Sequence, residues 1–441
     1  MNTLESATAY YIDPKNGSDN NPGTFDRPFS SIQQGIDVAG ETENDSNQIY
    51  LKGGTYNLTE AIEIDRYSGE EDAFLTIQAL PGEEVILDGS QVDSSGGLIN
   101  IRNVRRVNII GLEVRNAPSH GIEVVNGKYI SIVDNLIHHT QGMGIRVRGY
   151  LGGDLTYEAD STVQSSDVVI DNNEVYLTNL SNSGDNKGLD NWGAGIQAWN
   201  ADDVTIINNT VGSNYGEGIS LNLVDDGIVA NNVVYDSFSV QIYLDNATDS
   251  IVENNFIYST GDRLFDRGNR SAYGIALANE IYNISDPKRF YLDDNLIQHN
   301  VIVGADTGII YGTWAGIHQD EVTSNPQGLR NSTISRNTVY GSESYSINFD
   351  ADPNHENVTI SDNIFYQESE FDLSQIDSFT GLNFRSNLWF GGDTGDATSS
   401  SDIRADPLLV NPGGTEITDY QLQINSPAID VLTGDRNYEI S

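Results

Sequence analysis

The chain has 441 residues, with 65 acidic against 22 basic side chains, a formal net charge of −43, and no cysteine. Phosphate recognition needs clustered Lys and Arg, and only five of the basic residues are Lys, so nucleic acid is excluded as a partner. Disulfides contribute nothing and leave the compartment unmarked. No apolar run approaches the 18 residues of a membrane span. The opening MNTLESATAYY lacks the basic start and apolar core of a signal peptide. So acidic a surface suits a protein kept soluble in salty water. Bound divalent cations would neutralise part of the same charge.

In chain order, residues 9–45 read as a strand, a Gly/Asn/Pro loop and a short amphipathic helix that Ser30 or Ser31 can cap. Segments 48–59 and 74–91 read as irregular first turns of a repeat. From Ala194 to Asn255 the repeat is regular: Ile196, Ile219 and Ile242 are spaced by 23, as are Asn209, Asn232 and Asn255. A fixed period of this size marks a solenoid, in which each turn buries its apolar face only against its neighbours. Short β-runs separated by Gly, Asn and Asp make each repeat one turn of a parallel β-helix. The fold class is therefore all-β, a solenoid of about eleven turns with an N-terminal capping helix, on a strand spacing of about 4.8 Å. Residues 1–441 form one domain in this reading, with regular turns over 74–395 and a closing segment over 400–441. The recurring Asn can be followed through Asn135, Asn173, Asn209, Asn232, Asn255, Asn300, Asn337, Asn363 and Asn387. Amides at matching positions of stacked turns can bond one another as an internal ladder.

Departures from the period place long loops at 149–165, 178–193, 259–273, 279–293 and 312–330, all flanking one strand. Insertions gathered on one face usually build a binding surface. Strand alternation then turns two columns outward if the aligned Ile points in. One runs Glu123, Arg146, Gln197, Ser220, Tyr243, Ala276, Ile310, Asn348. The other runs Val125, Arg148, Trp199, Asn222, Asp245, Ala278, Gly312, Asp350.

These columns suggest a substrate groove. Trp199, with Trp192 upstream, reads as a stacking platform for sugar rings or as packing under a loop. Arg146 and Arg148 suit a carboxylate or sulfate, or pair with the loop acids Asp154, Glu158 and Asp160. Gln197, Ser220 and Asn222 add polar groups. Glu217, Asp245, Glu280 and Asp190 approach the same region, and glycoside hydrolysis uses carboxylates roughly 5 to 9 Å apart. The histidines show no metal-ligand spacing. His138 and His139 read as structural, and His318 lies in a groove-side loop. Asp203, Asp226 and Asp249 recur every 23 residues, either as a solvated turn or as oxygen ligands for calcium.

The stretches SDNNPGTFDRPFSSIQQGIDVAG and IYLKGGTY, and the closing DPLLVNPGGTEITDYQLQINSPAID, resemble those of secreted right-handed β-helix polysaccharide lyases of the pectin lyase-like superfamily. The resemblance implies a right-handed helix, an extracellular or cell-surface location and action on an acidic, uronate-containing polysaccharide by β-elimination. Arg146 and Arg148, or calcium, would neutralise the uronate, and Tyr243 would be the base. The Lys and Arg that those lyases use have no match at defined positions here. Two other functions fit the same groove. One is a glycoside hydrolase using Glu217, Asp245 or Glu280. The other is a non-catalytic polysaccharide-binding rod. A monomer is expected.

Overall fold

The computed structural model describes residues 8–41, 46–67, 69, 73–149, 164–184, 193–280, 291–312, 327–349, 354–368 and 372–429. The chain divides into two compact units, residues 1–215 and 216–441.

In the first unit each coil contributes three short strands, such as His120–Val125, Lys128–Val133 and Leu136–His138. Each pairs in parallel with its counterpart one coil on: Ile145–Arg148, Ser165–Asp171 and Glu174–Tyr176. Alternate β-branched residues drive this. Ile122, Val124, Ile130, Ile132 and Ile137 all point inward and are fully enclosed. Ile99, Ile122, Ile145 and Ile196 stand in one register column. The helix Ile32–Gly40 buries Ile32, Gly35, Ile36 and Ala39. Gly35 permits close approach, because a Cβ there would fall 2.8 Å from Ile12 Cδ1.

The helix cap is Ser31, whose Oγ accepts from the Gln34 N–H at 3.3 Å and donates to Asp19 Oδ2 at 2.9 Å. Ser31→Ala removes both bonds. It should lower stability by about 1 kcal/mol, the usual worth of such a cap, read as a lower urea midpoint at unchanged m-value. An unchanged midpoint would contradict the capping role.

In the second unit the column Ile219, Ile242, Ile275, Ile309, Ile347 continues in register through five coils. The expected Asn ladder is present in both units. Asn135 Nδ2 donates to Asn173 Oδ1, and Asn173 to Asn209, each at 3.0 Å. In the second unit Asn232, Asn255, Asn300, Asn337, Asn363 and Asn387 are joined the same way at 2.9–3.0 Å. Each ladder Asn follows a residue in the left-handed region, for example Asp134 (φ 57°), Asn172 (53°) and Asp362 (59°). That residue turns the corner, and the amide behind it satisfies backbone groups the corner would strand. The closing segment packs on the outer face of the third strand row. Leu409 and Tyr420 sit against Phe256, Val301 and Tyr340, and Ala428 sits against Ile364 and Leu388.

Candidate active site

The registers place the outward columns as the alternation requires. Glu123, Arg146 and Gln197 are neighbours in the first unit, as are Val125, Arg148 and Trp199. In the second unit Ser220, Tyr243, Ala276, Ile310 and Asn348 form one row, and Asn222, Asp245 and Ala278 the other. The side chains of these rows are largely enclosed. Glu123, Gln197, Ser220, Asn222, Tyr243 and Asp245 are all buried. Part of the reason is apolar: Val240, Tyr243, Ala276, Ala278 and Ile310 pack into a cluster outside the coil, with Tyr273 against it.

Three carboxyl groups, Glu217, Asp245 and Glu280, lie close enough in the second unit for their charges to interact. Glu217 opens its strand and is 7% exposed. Burial pushes its carboxyl well above the ordinary range. The Ser220 hydroxyl works against that shift, and the like charges of Glu280 and Asp245 add to it. Asp245 is fully enclosed. Its Oδ1 accepts from the Glu280 backbone N–H at 3.0 Å and from Asn246 Nδ2 at 3.2 Å, and its Oδ2 accepts from Asn222 Nδ2 at 3.4 Å. Glu280 is half-buried. Its Oε1 accepts from the Tyr243 hydroxyl at 2.8 Å, and its carbonyl accepts from Asn246 Nδ2 at 2.6 Å. The cluster therefore holds a carboxyl whose charged form burial disfavours, a carboxyl hydrogen-bonded to a phenol, and an enclosed aspartate fixing the chain that carries the second. Asn246 was missed in the sequence, although it directly follows Asp245. Nearby, Tyr311 is titration-resistant: burial raises its hydroxyl pKa, Asn279 opposes, and Asp245 adds.

The arginines belong to the first unit. Arg148 Nε donates to Glu123 Oε1 at 3.0 Å, Arg102 Nη2 donates to Glu123 Oε2 at 2.8 Å, and Arg146 Nη1 lies 3.6 Å from Glu123 Oε1. Burial would raise the Glu123 carboxyl, but Arg148 and Arg102 hold it below its ordinary value. Trp199 is half-buried, with the Arg146 guanidinium 6.0 Å from its ring. Asp154, Glu158, Asp160, Asp190, Trp192, His318 and Asp350 lie outside the described residues. His138 and His139 both pack against the Tyr176 ring. The His138 ring stacks on Tyr176 at 5.0 Å and faces Glu113 Oε1 at 3.3 Å.

Asp203, Asp226 and Asp249 are exposed turn residues in the left-handed region (φ 50°, 54° and 47°). That conformation explains why Asp recurs there. Among the described residues no three Asp, Glu or His groups converge as a metal site. The ridge in the second unit is repulsive. Some burial and the charges of Asp225, Asp294, Asp226 and Asp293 raise the Asp249 carboxyl. Screening should therefore raise the melting temperature with sodium and calcium alike at matched ionic strength. A further rise specific to calcium would assign a cation site to this ridge.

A family profile described as "Pel9A-like, right handed beta helix region" matches residues 10–168, and one described as "Right handed beta helix region" matches 162–331. A pectate lyase of Emericella nidulans, PEL9, is 30% identical over 172 residues, 35% of this chain and 39% of that protein. The chain thus matches about two fifths of the length of that curated relative. Among solved structures, pectate lyase Pel9A superposes with a TM-score of 0.50 at 17% identity, over 99% of this chain and 94% of that one. PfbA, a surface adhesin of Streptococcus pneumoniae, superposes with a TM-score of 0.61 at 13% identity, covering 82% and 86%. With its parallel three-strand coils, its stacked Ile and Asn columns and these matches, the chain has the right-handed parallel β-helix fold and is similar over residues 10–168 to the Pel9A-like β-helix region.

Proposed function

We propose that this protein is a carbohydrate-active enzyme that cleaves a polysaccharide by acid–base chemistry at Glu217 and Glu280. The observation that carries it is a buried Glu217, its carboxyl pushed up by burial and by the nearby charge of a half-buried Glu280 that is hydrogen-bonded to Tyr243. A carboxyl that burial disfavours in its charged form suits the acid, and a more exposed neighbour suits the base. Glu217 supplies the proton to the departing glycosidic oxygen. Glu280 takes the opposite role, attacking the sugar or activating water, while the Tyr243 hydroxyl fixes its orientation. Asp245, enclosed behind them, positions Glu280 through its backbone N–H and does not itself react.

The pectate lyase relative supports a second reading, β-elimination, in which the Tyr243–Glu280 pair removes a proton beside a uronate carboxylate. The separation of a buried Glu217 from a half-buried Glu280 suits the acid and base of hydrolysis, which is the reading taken first. The pectate lyase and adhesin likenesses also support an extracellular or cell-surface location.

A polysaccharide screen with two readouts tests the proposal. Hydrolysis gives new reducing ends without ultraviolet absorbance. Elimination gives both, and would replace the first reading with the second. Binding with neither product would leave a non-catalytic binding protein.

A further inference from the structure

Two histidine nitrogens face each other on the third strand row of the first unit. His138 ends the strand Leu136–His138, with Ile137 inside the coil and the His138 ring outside it. Neighbouring strand residues normally point to opposite faces. His139 departs from that rule because it turns the corner in the left-handed region, at φ 55°. Its ring comes to the same side, and the two Nδ1 atoms lie 2.6 Å apart. The coils on either side carry Arg115 and Asn116, and Tyr176 and Leu177, at these two positions. Of these three coils only one offers a pair of imidazoles.

The proton of His138 is placed by its other partner. His138 Nε2 lies 3.3 Å from Glu113 Oε1. A carboxylate only accepts, so Nε2 carries the proton and Nδ1 keeps a lone pair aimed at His139. Glu113 is itself held, since its Oε1 accepts from Arg115 Nη1 at 3.0 Å. Arg115 also donates from Nε to Asp88 Oδ2 at 2.9 Å, so two carboxylates meet its charge. Stacking on Tyr176, with the rings 4° from parallel, fixes the plane of His138. His139 is exposed, and among the described residues no hydrogen bond uses its Nε2. An imidazole that gives one N–H to a carboxylate and aims its bare nitrogen at a second imidazole is arranged as metal-binding histidines are.

We propose that His138 and His139, the first oriented by Glu113, form a two-nitrogen site for a late first-row divalent transition ion, with copper(II) held best and zinc(II) or nickel(II) less tightly. Imidazole suits these ions, and copper(II) heads their order of affinity. In the free pair His139 donates its Nδ1 proton to His138. On binding, that proton moves to the exposed Nε2, both Nδ1 lone pairs go to the ion, and no net proton is released. Ion–nitrogen bonds of about 2.0–2.1 Å at a right angle put the two nitrogens about 2.9 Å apart, so a small turn of the exposed His139 ring opens the pair enough. Water fills the remaining positions. The site stands on the first unit alone and owes nothing to the polysaccharide reading.

The test is a copper(II) titration of the untagged full chain, without substrate, in buffer that holds calcium in excess. Calcium takes oxygen ligands, so it fills simple carboxylate sites and leaves imidazoles alone. Calorimetry reads affinity and stoichiometry, and electron paramagnetic resonance reads the nitrogens bound to copper. One equivalent of copper(II) with a two-nitrogen signal is expected. His139→Gln, a change at an exposed side chain, should remove that signal and weaken binding at least about tenfold. Glu113→Gln should keep both nitrogens and weaken binding by about 10- to 100-fold, the usual cost of losing an outer carboxylate. Circular dichroism checks that each variant is folded; if His139→Gln does not fold, His139→Asn decides. No copper binding in the presence of calcium, or a folded His139 variant with wild-type affinity and an unchanged two-nitrogen signal, would overturn the site and leave a hydrogen-bonded histidine pair. Wild-type affinity in Glu113→Gln would remove Glu113 from it.

Discussion

Glu217→Gln should lower turnover by about a hundredfold or more and, at alkaline pH, make the protein more stable. Loss of a general acid typically lowers the rate by about 10²- to 10⁴-fold, and Gln keeps the shape while carrying no transferable proton. The stability effect has a definite sign. The folded-state pKa of Glu217 is raised above that of the unfolded chain. Its favourable contribution is fully present below the ordinary carboxyl range and is lost as pH rises through the raised value. Above that point the wild type must bury a charge beside Glu280 and Asp245, and Gln never does. The melting temperature of Glu217→Gln minus that of wild type should therefore increase from pH 5 to pH 9. A difference that is flat with pH would mean Glu217 titrates as an ordinary carboxyl. Full activity in the variant would remove it from the chemistry.

Asn255→Leu is expected to be the most damaging single change to the fold. Asn255 Nδ2 donates to Asn300 Oδ1 and to the Val229 carbonyl, each at 2.9 Å. Its Oδ1 accepts the Asn232 backbone N–H at 2.9 Å and the Asn232 amide at 3.0 Å. Leucine has a similar volume and satisfies none of them. Each stranded buried group costs about 1–3 kcal/mol, so a loss of roughly 3 kcal/mol or more is expected after partial relaxation. Urea unfolding measures it. The half-buried Asn108, whose Nδ2 donates to Thr76 Oγ1 at 3.0 Å, is the control and should lose about 1 kcal/mol at most after Asn108→Ser. Equal losses at the two positions would show that the ladder is not a special source of stability.

Much of the frame was legible because a solenoid writes its geometry as spacing. The Ile column and the Asn ladder are periodic, and a one-residue slip would turn every side chain to the other face. For the same reason the outward columns could be written down residue by residue. Their burial was not legible. Tyr243, Ala276 and Ile310 look like a mixed surface row until the coils bring them together with Val240 and Ala278. The partner of Arg146 and Arg148 was equally hidden, although Glu123 stands in the same outward column. Charge alone cannot choose one partner among 65 acidic residues; adjacency of coils does. The candidate carboxylates Glu217, Asp245 and Glu280 were named together, but their division of labour depends on enclosure. Asp245 is sealed by Asn222, Asn246 and the Glu280 backbone, which composition does not encode.

The central claim is that Glu217 stands protonated at neutral pH inside a cluster of carboxyl groups. The infrared difference spectrum of wild type minus Glu217→Gln, recorded at pH 7 in the absence of substrate, reads it directly. A carbonyl stretch of a protonated carboxylic acid, present in wild type and missing from the variant, is the expected result. A difference that contains only the paired stretches of an ionised carboxylate would contradict it.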